Sequence, residues 1–165
     1  MDNYKVKLRR YEDDLNIGGS GVIVMGMWAA LKALMELFLG SEKYIDLNEI
    51  SDDPGLRVLG AVVIFIMVTA ILSFIIMLHL YVGLNAIRAS KGKKYRRGYL
   101  VMAVIMLILT VLSLVAYKDK LKDIKVIDNT LASLLVDITT IYIYVAMIRS
   151  AYMIKKLNSM HQIRE

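Results

Sequence analysis

RVLGAVVIFIMVTAILSFIIMLHLYVGLNAIRAS, residues 57–90, decides the fold. As a helix this stretch would run roughly 50 Å at 1.5 Å per residue, longer than the ~30 Å hydrocarbon core of a bilayer. It therefore reads as a membrane span that tilts or projects beyond the core. Asp53-Pro54 precedes it. Asp is a good N-cap and Pro is favoured at the first helical position, so the span should begin there.

Three further apolar blocks share this character, at about residues 22–39, 99–117 and 131–157, with the charged residues between them. Bilayers select that segregation, because a charge near the hydrocarbon centre costs several kcal/mol. The chain has 165 residues, of which 58% are hydrophobic, and a mean hydropathy of +0.55. A soluble domain of this size could not cover so much apolar surface. The expected fold is all-α, an integral membrane four-helix bundle with neighbouring spans antiparallel. Residues 1–17 form an N-terminal arm, 18–157 the four-span domain and 158–165 a polar cytoplasmic tail. A cleaved signal peptide is not expected. The first block follows a charged arm, contains Lys32 and Glu36, and leads into Leu39-Gly40-Ser41-Glu42, a poor cleavage site.

Tyr4, Leu8, Tyr11 and Leu15 make one stripe of a helix, with Lys5, Lys7, Arg9 and Arg10 around it. This fits a short amphipathic helix on a membrane surface, or a solvated, frayed terminus. Gly18-Gly19-Ser20-Gly21 then reads as a hinge. In the first span Gly26, Ala30 and Ala33 share a small-residue face suited to close helix approach, and Trp28 should be a packing residue. The third span should continue outward as an amphipathic extension through Leu121 and Ile124. Asp128-Asn129-Thr130 should be the turn and N-cap of the fourth.

Orientation follows from lysine and arginine near the span ends. The central loop carries Arg88, Lys91, Lys93, Lys94, Arg96 and Arg97 without an acidic residue, and both termini are basic. The loop at 41–55 is acidic, and the one after the third span balances Lys against Asp. Both termini and the central loop should be cytoplasmic in a multi-pass protein of the cell membrane. The same six basic residues could contact anionic lipid headgroups. Nucleic-acid binding is not expected, since no reading module surrounds them.

Ionisable groups inside spans are expensive and usually face a bundle interior or a wet cavity. Lys32 and Asp137 lie about 10 Å and 9 Å inside the outer ends of their spans, with Glu36 one turn from Lys32. They could form an intramembrane charge cluster in which Asp137 pairs with Lys32, and the first and fourth spans should then touch. The cluster is an ionic clip that fixes helix register or the lining of an ion or proton path. Thr130, Ser133, Asp137, Thr140 and Tyr144 are spaced three, four, three and four apart, a continuous polar stripe that should look into the protein. His79 should sit near the inner headgroups with its ring half wet. Residues 81–90 and 144–151 resemble one another, through duplication of a helical hairpin or through chance.

Enzyme signatures are missing. There is no Gly-rich phosphate loop, no G-x-S-x-G, no His-x-x-x-His and no EF-hand spacing, and the absence of cysteine removes thiolate chemistry. No cofactor or metal site is expected. The sequence favours a non-enzymatic membrane subunit, scaffold or envelope-associated factor, whose partner would be a second copy of itself or an unknown membrane protein. The alternative is a small ion- or proton-coupled transporter or channel using Lys32, Glu36 and Asp137.

Overall fold

The computed structural model describes residues 2–39, 54–120 and 127–162. All regular structure among them is α-helical: α1 (Asp2–Leu39), α2 (Pro54–Ser90), α3 (Gly98–Lys120) and α4 (Ile127–Gln162). Within these helices, Tyr4–Met35, Gly55–Ser90, Gly98–Val115 and Ser133–Met160 are long and apolar enough to cross a membrane. The second is the most apolar, with a mean hydropathy of 3.0 in its best window, and no residue of that window is buried. Phe65, Ile66, Ile71 and Phe74 on α2 are all more than half exposed. A helix apolar on every side needs an apolar environment, which lipid supplies without any further protein.

Pro54 is the first residue of α2, the position at which its fixed φ and missing N–H cost nothing. At the other end Gly92 adopts φ +64°, and two hydrogen bonds close the helix: Lys93 N–H to Arg88 C=O at 2.9 Å and Gly92 N–H to Ala89 C=O at 3.2 Å. This is a Schellman cap, in which a left-handed glycine returns donors to the last carbonyls.

The chain forms two compact units, Met1–Met25 with Leu80–Glu165, and Gly26–His79. The first unit holds most of the buried core: Leu15, Val22, Val82, Tyr99, Tyr144 and Met147 are all at most 1% exposed. Its helices run antiparallel. Gly18 meets Met147 and Gly21 meets Ile143, while Tyr4 Oη donates to Asn158 Oδ1 at 2.9 Å. These contacts join residues 4–21 of α1 to residues 143–158 of α4, whereas the contact expected between spans 22–39 and 131–157 rested on Lys32 and Asp137, which fall in different units. In the second unit Gly26 packs directly on the His79 side chain, and Ala30 on the same small-residue face is 5% exposed.

Several local expectations need correction. Gly18-Gly19-Ser20-Gly21 is no hinge, because α1 runs unbroken from Asp2 to Leu39. These glycines act as packing surfaces. A Cβ on Gly19 would lie 2.8 Å from the Gly83 carbonyl oxygen, and a Cβ on Gly83 would lie 2.5 Å from the Gly19 oxygen. Backbone meets backbone there, and only glycine on both sides permits it. Ser20, the one member with a larger side chain, is exposed and donates to Asn16 C=O at 3.1 Å.

The arm is likewise the first part of α1. Leu15 is buried and Tyr4, Leu8 and Tyr11 are half-buried, so protein already covers much of the apolar stripe. Asp128-Asn129-Thr130 lie within α4, which starts at Ile127, so they are not the turn that precedes it. The tail is helical as far as Gln162. His79 is 9% exposed rather than half wet, with Nδ1 2.8 Å from the Ile75 carbonyl, because Gly26 leaves room for its ring. Trp28 is 47% exposed, so it is not a core packing residue. The acidic loop, apart from its last residues, and Leu121 and Ile124 lie outside the described residues.

Candidate functional site

Polar chemistry inside the apolar helices gathers in a seam between α3 and α4. The three-and-four spacing on α4 turns Ser133, Asp137, Thr140 and Tyr144 to one side. Thr140 and Tyr144 are buried, and Ser133 and Asp137 are half-buried. Across from them Ser113 Oγ lies 2.7 Å from the Thr110 carbonyl and 3.4 Å from Asp137 Oδ2. The hydroxyl has one proton, so these two acceptors compete for it. Further along, Tyr144 Oη donates to Met106 Sδ at 3.4 Å. Thr110 and Thr140 return their hydroxyls to the carbonyls four residues earlier, of Met106 and Val136. A serine or threonine can satisfy itself in this way, so a polar stripe by itself demands no ligand. Asp137 differs, since a carboxylate only accepts and needs donors from elsewhere.

Lys32 is half-buried in the second unit, and Asp137 belongs to the first. The side chains of Glu36 and Thr130 lie outside the described residues. The seam thus joins Asp137 to Ser113 on α3. The register was available in principle, since antiparallel helices that place Tyr144 beside Met106 also place Asp137 beside Ser113, but it needed one known contact.

The second feature is the turn between α2 and α3. Lys91, Lys93, Lys94, Arg96 and Arg97 are exposed, as is Arg88 on the last turn of α2. The backbone beneath them is built from specific bonds. Asn85 is 6% exposed and uses both ends of its amide, with Nδ2 donating to Tyr81 C=O at 2.7 Å and Oδ1 accepting from Arg96 N–H at 3.0 Å. Tyr95 stands edge-on to the buried ring of Tyr99, centroids 5.8 Å apart. The Schellman cap holds the other half. Six cations are therefore presented on an ordered turn. Asn85 is the residue that sequence reasoning missed here, for its partner is eleven positions away and a main-chain group.

The basic segments converge. The Tyr4–Asn158 bond sets the arm beside the end of α4, which carries Lys155 and Lys156. An open groove of about 360 Å³ lies where the arm meets the end of α2, lined among others by Lys5, Arg9, Glu12, Asp13, Asn16 and Lys91. Among the described residues no three His, Cys, Asp or Glu side chains come together as metal ligands.

Compared with known proteins, the chain matches no family model, no curated protein and no solved structure.

Proposed function

We propose that this chain is a four-span protein of the cell membrane, with both termini and the basic turn in the cytoplasm, acting as a non-enzymatic subunit or scaffold. The observation that carries the reading is the pairing of fully apolar, exposed helix faces with a compact basic end. Exposed surface such as that of α2 demands lipid or another protein. Lysine and arginine concentrated at one end orient such a helix set with that end inside. Arg88, Lys91, Lys93, Lys94, Arg96 and Arg97 would then meet anionic headgroups, at about 1 kcal/mol per basic residue near the surface. Homo-oligomerisation is compatible with this reading.

The half-buried carboxylate of Asp137 favours a second reading, a small ion- or proton-coupled transporter. An intramembrane acid facing hydroxyls is the usual material of a proton relay. One experiment separates the two. Purified protein in sealed liposomes is given a proton or cation gradient. A subunit or scaffold leaves the gradient intact, and Asp137→Asn changes nothing. Dissipation that Asp137→Asn abolishes would sink the scaffold reading.

A further inference from the structure

The groove between the arm and the end of α2 is lined by charges of both signs. Lys5, Arg9 and Lys91 supply three cations, and Glu12 and Asp13 supply two carboxylates. Asn16 adds an amide to the lining. Lys5, Arg9, Asp13 and Lys91 are exposed and Glu12 is half-buried, so the charges are available to a ligand.

Its position along the helices matters as much as its charge. Tyr152 lies on α4 between Met147, which meets Gly18, and Asn158, which meets Tyr4. It is 65% exposed, and Tyr95 in the adjacent turn is 42% exposed. Exposed tyrosines are enriched at membrane–water boundaries. Immediately beyond the groove the surface turns apolar. Ile17, four residues on from Asp13 and therefore on the same face, is 69% exposed, and Leu84 beside the Gly19–Gly83 crossing is 43% exposed.

We infer that this groove holds the headgroup of an aminophospholipid. Its phosphate lies against Lys5, Arg9 and Lys91, and its primary ammonium against Glu12 and Asp13. A purely anionic headgroup would leave the two carboxylates facing negative charge. A quaternary ammonium would offer them no N–H donors, whereas a primary ammonium offers three, as lysine does. The acyl chains continue over Ile17. The inference rests on the reading that this end of the first unit lies at a membrane boundary, and holds whichever side that is.

The test uses full-length protein in detergent, with retained lipid counted by native mass spectrometry. Phosphatidylethanolamine, phosphatidylcholine and phosphatidylglycerol with identical chains are compared. Phosphatidylethanolamine should bind at least about tenfold more tightly than the other two, a difference of about 1.4 kcal/mol. Arg9→Gln with Lys91→Gln should remove that binding. Glu12→Gln with Asp13→Asn should abolish the preference and improve phosphatidylglycerol binding. Lys7→Gln, on the arm but outside the groove, should change neither. Lys5→Gln alone should weaken phosphatidylethanolamine and serves if a double variant misfolds, which near-ultraviolet circular dichroism of the buried tyrosines reports. Equal binding of the three lipids, or selectivity that survives the carboxylate variant, overturns the inference. Glycerophosphoethanolamine competing as well as the intact lipid would make the ligand a soluble phosphoester and overturn the lipid assignment. The boundary reading fails separately: a single cysteine from Lys94→Cys that no aqueous reagent reaches in proteoliposomes contradicts it, whatever the lipid selectivity in detergent.

Discussion

Replacing Gly83 with alanine should destabilise the protein although alanine is the better helix former. The added Cβ would lie 2.5 Å from the Gly19 carbonyl oxygen and 2.5 Å from Ile23 Cγ1. Ordinary carbon–oxygen contacts run about 3.3–3.6 Å, so α1 and α2 must separate by roughly 1 Å at the crossing. A gap of that size forfeits about a quarter to a half of each neighbouring contact, and Ala86 and Ile87 also meet Gly19 here. Overpacking of this kind costs about 1–3 kcal/mol. The propensity gain on exchanging Gly for Ala is at most about 1 kcal/mol. The expected net loss is about 0.5–2 kcal/mol. Gly19→Ala should behave likewise, and the double variant should cost less than the sum, because both remove the same approach. Unfolding by sodium dodecyl sulfate in mixed micelles, followed by near-ultraviolet circular dichroism of the tyrosines, measures this. A Gly83→Ala variant as stable as the parent, or more so, would refute the backbone contact.

Other substitutions probe the turn, the seam and the charge cluster. Asn85→Ala should cost about 1–3 kcal/mol by stranding its partners, and should speed hydrogen exchange at the Arg96 amide and tryptic cleavage within 91–97. Tyr144→Phe loses only a weak bond to sulfur and should cost under about 1 kcal/mol, whereas Tyr144→Ala, emptying a site 1% exposed, should cost about 3–5 kcal/mol in the same denaturation assay. If Asp137 pairs with Lys32, Lys32→Asp and Asp137→Lys should each cost about 3–5 kcal/mol and the double swap should restore folded yield; no restoration would exclude direct pairing.

Helix positions were legible because apolar runs and their charged breaks are a property of composition along the chain. The start of α2 at Pro54 was legible because a single residue type dictates it. The glycine run at 18–21 was misread, since glycine's effect depends on what it touches: opposite Gly83, Met147 and Ile143 it permits packing where in water it would loosen the chain. His79 was misplaced for the same reason, because the space for its ring comes from Gly26, more than fifty residues distant. The stripe on α4 could be read from its own spacing, but its partners Ser113 and Met106 could not, since nothing in one helix fixes its register against another. The Asn85 amide that orders the basic turn left no periodic trace at all.

A four-span topology with the basic end inside is directly measurable, because the chain has no cysteine of its own. Single cysteines introduced by Ser51→Cys, Lys122→Cys, Lys94→Cys and Ser159→Cys are treated in intact cells with a membrane-impermeant maleimide. The first two should label at once and the last two only after lysis. Labelling of Lys94→Cys or Ser159→Cys in intact cells, or of all four alike, would contradict the account.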